Sequence, residues 1–242
     1  PLVTTLSKTF YSWLPSVRMR YGKSRDQSFG FFYRTFNTDP SVQQLQNVVD
    51  NSNPIQLSTG NPNLKQDYRH FISTRYSSIF FESMTSLFVM LGGSFTNDYI
   101  GSNTFIADRD TVLPNGISLN RGSRLTTYEN IDGYFNVRSF ISYGLLVSFL
   151  KSNLNLNLNV SYTKTPALIN SVTNYSKLAA YGLGFVLSSN VGTDLDFTVS
   201  SMSNFNDLKN TSSTSSDDNY LSQVSRLKLY WNICAGIIFQ GE

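Results

Sequence analysis

From Leu154 to Thr163 apolar and polar residues alternate without a break, as Leu154-Asn155-Leu156-Asn157-Leu158-Asn159-Val160-Ser161-Tyr162-Thr163. Successive side chains of a strand point to opposite faces. This stretch therefore sets Leu, Leu, Leu, Val and Tyr against Asn, Asn, Asn, Ser and Thr, whereas a helix would smear both sets around its circumference. The same period returns along the chain. Val17, Met19 and Tyr21 alternate with Arg18 and Arg20, and Phe29, Phe31 and Tyr33 share one parity. So do Leu87, Val89, Leu91 and Phe95, and so do Ile141, Tyr143, Leu145, Val147 and Phe149. Tyr181, Leu183, Phe185 and Leu187 stand against Gly182, Gly184 and Ser188, and Leu195, Phe197 and Val199 against Asp196, Thr198 and Ser200. Leu227, Leu229 and Trp231 oppose Arg226, Lys228 and Tyr230. A chain with this period is all-β.

The connectors alternate as well, short then long. Short polar turns are expected at 23–26, 81–83, 151–153, 190–194 and near 234–236, and long polar segments at 37–66, 98–133, 166–173 and 206–219. The result is an antiparallel meander of about ten strands, each near the roughly 9–11 residues that cross a bilayer at a tilt. Short turns at one end and long loops at the other characterise a transmembrane β-barrel of the outer membrane. Tyr21, Tyr33, Phe36, Tyr76, Phe95, Tyr162 and Trp231 fall near strand ends, as aromatic girdles do. Composition agrees: 14% of the 242 residues are charged and 14% are aromatic, where soluble domains carry roughly a quarter charged residues. No stretch approaches the roughly 18 apolar residues of a spanning helix, and aromatics are too frequent for disorder. The alternative is a soluble β-sandwich with its apolar face inward. Its strands would average about 5–6 residues, and its outer face would carry more charge.

The loops carry their own signals. In 37–66, Asp39-Pro40-Ser41 reads as an N-cap followed by Pro at the first helical position, with Val42, Leu45, Val48 and Val49 on one helical face and Asn51-Ser52-Asn53-Pro54 as the stop. A long extracellular loop with a short helix over the rim is expected, and Asp39, Pro40, Leu45, Asn61 and Pro62 are its candidate contact residues. Gly60-Asn61-Pro62-Asn63-Leu64 is a turn back into the next strand. In 98–133, Pro114-Asn115-Gly116 between alternating residues predicts an extracellular β-hairpin. The Ser/Thr run from Thr211 to Asp218 reads as a loop tip.

Little else points to chemistry. The net charge of +3 is too mild for nucleic acid. With one cysteine, Cys234, and one histidine, His70, the chain holds neither an internal disulfide nor a His/Cys metal cage. Cys234 reads as a small residue near a turn. A Ser-His-acid site is conceivable only around His70, which shares parity with Ile72, Thr74 and Tyr76 and so faces the apolar side. Asp108, Asp110, Asp217 and Asp218 are candidate Ca²⁺ ligands, although loop acids are usually just solvated. No cofactor-binding motif is present, and no enzyme activity is expected. One feature stands out: the polar face carries Arg18, Arg20, Arg34, Arg69, Arg75, Arg138, Arg226 and Lys228 against few acids such as Asp196. Either this basic wall attracts anionic solutes or an acidic plug surface, or these cations pair with acids on strands or on a plug.

Three stretches resemble the outer-membrane β-barrel family of Bacteroidota, akin to TonB-dependent transporters. They are Leu14-Pro15-Ser16-Val17-Arg18-Met19-Arg20-Tyr21, the segment from Asp39 through Pro54, and Ser58-Thr59-Gly60-Asn61-Pro62-Asn63-Leu64-Lys65. The last is the most specific, and residues 154–162 and 227–231 are also similar. The resemblance spans most of the chain and implies the middle of a larger barrel of about twenty-two strands. It also implies a plug domain, an energy-coupling protein, and uptake of a large or scarce nutrient across a Gram-negative outer membrane. Residues 237–242 read as a strand cut off after its start, so the whole of 1–242 is expected to be a barrel segment. An open sheet would leave two bare edges, so either further strands exist or the ten close on themselves. Outer-membrane lipid and lipopolysaccharide are implied partners, with lipoprotein or complex subunits as others. The competing reading is a non-transporting barrel that serves as scaffold or accessory subunit of a secretion, assembly or adhesion complex.

Overall fold

Each period-two stretch forms a strand in the computed structural model, which describes residues 8–24, 26–113, 116–189, 195–211, 217–234 and 237–241. In chain order the elements begin with β1 (Ser16–Ser24), β2 (Gln27–Thr38), the one-turn helix α1 (Val42–Leu45), β3 (Gln56–Ser58), β4 (Asp67–Phe80) and β5 (Thr85–Asn97). Then come β6 (Tyr99–Ile106), β7 (Thr111–Val112), β8 (Ser118–Leu119), β9 (Arg124–Ile131) and β10 (Tyr134–Val147). The chain continues with β11 (Ser152–Ile169), β12 (Val172–Ser189), β13 (Leu195–Asn210), β14 (Asp218–Cys234) and β15 (Ile237–Gly241). Ten strands form the antiparallel wall, in the order β1-β2-β4-β5-β10-β11-β12-β13-β14-β15. Among the described residues β1 and β15 end this path and do not pair with each other, so the ten do not close on themselves.

The register keeps the two faces separate. Ile141 lies beside Leu158, and Leu158 beside Leu183; Tyr143, Leu156 and Phe185 form the next row. One apolar face therefore runs from Val17 and Met19 on β1 to Leu227 and Leu229 on β14. The other face is Asn, Ser, Gly and Arg, with Asn159 beside Gly182 and Asn157 beside Gly184. A slip of one residue would exchange the faces, so the alternation itself holds the register.

Several expected connectors differ. Residues 166–173 are not a long loop: β11 and β12 pair out to Ile169 and Val172 around Asn170 and Ser171, whose φ values of 49° and 63° match a two-residue hairpin turn. Polar composition there marks strand standing beyond the apolar belt, which period alone cannot separate from loop. For the same reason β13 runs on to Asn210 and β14 starts at Asp218. The turn expected at 151–153 sits earlier, as a 3-10 turn over Ser148–Leu150 with Lys151 left-handed at φ 45°, so Phe149 leaves the strand. The expected turn at 190–194 lies outside the described residues, as do Pro114 and Asn115, residues 212–216 and part of 234–236.

The buried aliphatic core is not in the wall. Among the described residues Leu57, Leu64, Ala107, Ile117, Leu119, Leu125 and Ile131 form it, and all belong to the two long connectors 37–66 and 98–133. β6 and β9 make an antiparallel hairpin, β3 adds to β9 in parallel, and β7 pairs with β8 inside the hairpin.

Candidate functional site

The two long connectors and the tip of the β11–β12 hairpin form one platform at the long-loop end of the wall. Leu57, Ala107, Ile117, Leu119 and Leu125 pack together, with Val49, Phe105 and Leu113 against them. The Asn170 side chain accepts a hydrogen bond from the Ile106 N–H (2.7 Å), and the Asn170 N–H donates to the Thr104 carbonyl (2.9 Å), tying the hairpin tip to β6.

The helix of the first connector is shorter than its apolar spacing predicts. Ser41, not Asp39, is the N-cap: its hydroxyl accepts from the Gln44 N–H (3.2 Å) while the Gln44 side chain accepts from the Ser41 N–H (2.9 Å), a capping box. One turn later the helix ends, because its free carbonyls are taken by the turn that follows. The Gly60 N–H donates to the Gln46 carbonyl (2.9 Å) and the Asn61 N–H to the Gln44 carbonyl (2.6 Å). A Cβ on Gly60 would stand 2.5–2.7 Å from the carbonyl oxygens of Gln43, Gln44 and Gln46, so only glycine permits this approach. Val48 therefore leaves the helical face and is exposed.

Asn61 then bridges the connectors. Its side chain donates to the Tyr128 carbonyl (2.9 Å) and accepts from the Asn63 N–H (2.9 Å). Asn130 closes the clamp, accepting from the Lys65 N–H (2.8 Å) and donating to the Lys65 and Asp98 carbonyls. The Gly-Asn-Pro turn is thus a latch between loops rather than a simple return to a strand. Of the other candidate loop residues, Asp39 accepts from the Gln66 side chain, Pro40 is buried, Leu45 is half-buried, and the Pro62 carbonyl accepts from Lys8 Nζ (3.0 Å). At the foot of the platform Tyr99 stacks on Tyr134 with ring centres 4.8 Å apart, and burial pushes its phenol pKa up.

Below the platform, the register places Arg18, Arg20, Arg34, Arg69, Arg75, Arg138, Arg226 and Lys228 on the polar face of the wall. Arg18, Phe32, Ser73, Gly92 and Arg138 form one cross-strand row. Among the described residues the ion pairs are Lys65–Asp98 and Lys209–Asp207, so none of these arginines pairs with an acid on the described strands. The arginines lie over rings instead. The Arg18 guanidinium is 5.2 Å from the centre of Phe32, Arg75 is 5.6 Å from Phe88, and Arg34 and Arg69 are each 5.4 Å from Phe36. Phe36 therefore belongs to the basic face, not to the apolar girdle where its place near a strand end put it. Phe32 meets Phe71 edge-on at 6.3 Å. A cleft of ≈ 620 Å³ is lined by Arg18, Arg20, Phe32, Phe71, Arg75 and Phe88.

Sequence reading missed these rings. Their signal was present: Phe32, Phe71 and Phe88 break the alternation by sitting at arginine parity. Each cation–π contact contributes about 0.5–1 kcal/mol at an exposed site, so the face is held in place without neutralising its charge.

The remaining candidates do not assemble into a reactive site. His70 lies on the apolar face, its ring stacked on Phe95 (4.3 Å, 11°) and edge-on to Tyr68 (5.0 Å), with Nδ1 2.9 Å from the Tyr33 hydroxyl. These neighbours are aromatic girdle residues, not a serine and an acid. Asp110 accepts from the Arg121 N–H and Asp217 from the Asn210 N–H. Among the described residues no group of three or more potential ligands converges as a metal site.

Comparison with known proteins fits this geometry. Residues 3–240 match the profile described as the outer membrane protein beta-barrel family. Among solved structures the chain is similar to the siderophore receptor PirA from Acinetobacter baumannii, with a TM-score of 0.62 and 12% identity, covering 92% of this chain and 35% of that one. At that identity the likeness is one of fold, and this chain spans 35% of the receptor's length. No curated protein matches the sequence. A wall with one apolar and one polar face, strands of bilayer-crossing length and a match over nearly every residue lead to one assignment: the chain belongs to the outer membrane protein beta-barrel family and resides in the outer membrane.

Proposed function

We propose that this chain forms the central wall and two outer loops of a TonB-dependent type receptor that takes up a large or scarce nutrient. In the whole protein a plug domain would fill the space beside the polar face, and an energy-coupling protein would act on the plug. The single observation carrying this reading is the polar face, where arginines lie over phenylalanines and, among the described residues, form no ion pair with an acid. That face is turned away from lipid. Such a wall suits an anionic solute or the acidic surface of a plug, because uncompensated cations raise the local concentration of anions and aromatic faces add stacking area.

The test neutralises Arg18, Arg20 and Arg34 together, to Gln, in the full-length protein. Expected results are a shift of ion selectivity away from anions in planar bilayers and reduced nutrient-limited growth of the producing cells. Unchanged selectivity together with unchanged growth would remove the role of this face.

A second reading, a scaffold or accessory subunit, draws on a different observation. Val42, Val48 and Ile55 are strongly exposed on the platform, and a partner subunit would cover them. Charged substitutions at these three positions separate the readings. Under the scaffold reading they release a co-purifying subunit; under the receptor reading they leave the protein's associations unchanged.

A further inference from the structure

Three lysines stand side by side on the lipid-facing side of the wall. The register sets Lys164 on β11 directly beside Lys177 on β12, and Lys177 beside Lys209 on β13. All three share parity with the belt residues of their own strands, Tyr162, Tyr181 and Phe205. They lie two to four residues beyond those residues toward the long-loop end, about 7–14 Å along the strand at roughly 3.4 Å per residue. In an outer-membrane barrel the long loops face the cell exterior, so the row sits level with the headgroups of the outer leaflet.

Directly opposed like charges destabilise a sheet, with Cβ atoms only about 4.5–5.5 Å apart. The acids nearby answer one lysine of the three. Asp207 pairs with Lys209 at 2.9 Å, and the charge of Asp217, the residue before β14, also favours the Lys209 ammonium. Lys164 is held over the Tyr175 ring at 3.8 Å, a contact that fixes its position and leaves its charge. Lys177, between the two, is exposed, and neither of the two ion pairs among the described residues includes it.

We propose that Lys164 and Lys177, flanked by Lys209, bind the phosphate of an outer-leaflet lipid headgroup. Two adjacent ammonium groups at this depth match a phosphate monoester or diester in charge and in donor number. The apolar belt directly below, Leu158, Val160, Tyr181 and Leu183 among it, would take the acyl chains of the same lipid. The lipid would thus supply the counter-charge that the sheet lacks.

The test uses the full-length protein in nonionic detergent, titrated with lipid A, with enzymatically dephosphorylated lipid A and with inorganic phosphate, and read by native mass spectrometry and thermal shift. Lipid A is expected to bind and stabilise, while the dephosphorylated form and inorganic phosphate do so far less. The variant K164Q/K177Q should lose affinity by about fivefold per lysine, and K164R/K177R should retain it. K151Q, at the opposite end of β11, should match the wild type. K177Q alone guards against misfolding, since it removes an exposed side chain outside both ion pairs, and it should still lose about fivefold. Equal binding of both lipid forms, or unchanged affinity in K164Q/K177Q and K177Q, would overturn the proposal. Inorganic phosphate binding as tightly as lipid A would assign the row to free phosphate and overturn the lipid version.

Discussion

Leu158 in the wall and Leu119 in the platform are both strand leucines, yet Leu158 is 41% exposed and Leu119 is 2%. In the wall, apolar side chains line up on an open face, with Leu156, Leu183 and Leu227 all exposed. In the platform, eight apolar residues from five segments turn toward one another. The wall uses lipid as the second layer of its core, so its hydrophobic pattern is one-dimensional and strictly periodic. The platform stands in water and must supply its own second layer, as any soluble domain does. One chain therefore obeys two burial rules, and the boundary between them is the aromatic row at His70, Phe95 and Phe135.

That contrast can be broken from either side. Leu119→Ala should cost the platform about 2–5 kcal/mol, the range for a buried leucine. The expected readout is rapid proteolysis within 98–133 while the wall keeps its heat-modifiable migration; loss of both together would mean that the platform is no separate unit. Leu158→Arg, near the middle of the belt, should cost about 2–4 kcal/mol in lipid, measured by urea unfolding in bilayers. Asn159→Arg, one residue on and on the polar face, should cost far less, and equal costs would erase the distinction between faces. Gly60→Ala should cost about 1–3 kcal/mol through overpacking, seen as faster hydrogen exchange of the Gly60 and Asn61 amides and no change in the wall. The smallest effect concerns Asp50, whose carboxyl is held below its ordinary value of 3.8 by the Ser52 hydroxyl and N–H. A lowered folded value adds stability above pH 3.8 that is lost as pH falls through the folded value. Ser52→Ala should move the Asp50 titration, followed by carbon NMR, back toward 3.8.

Legibility in the sequence follows the same boundary. Ten wall strands, their faces and the side on which each arginine lies could be read from parity, because lipid imposes a uniform environment on alternate residues. Where strands rise beyond the belt, as at 166–169 and 206–210, both faces become polar and the period no longer distinguishes strand from loop. The capping box at Ser41 was written locally in Ser41 and Gln44, but the early end of the helix was not. It depends on Gly60 and Asn61, more than a dozen residues away, reaching the helix carbonyls. The arginine-on-phenylalanine packing was half legible: parity placed the rings on the basic face, but only the cross-strand register brought Arg18 to Phe32 and Arg75 to Phe88.

What the sequence determined by itself is the period, and with it an all-β wall of ten strands having one apolar and one polar face. Those depend on residues one and two positions apart, whose side-chain directions the backbone sets without help. What only the tertiary structure decided is which distant residues meet: the latch of Asn61 on the hairpin, the buried cluster around Leu119, and the lysine row across three strands. Each of these depends on strand register and loop closure, which bring together residues far apart in the chain and leave no fixed spacing between them to read.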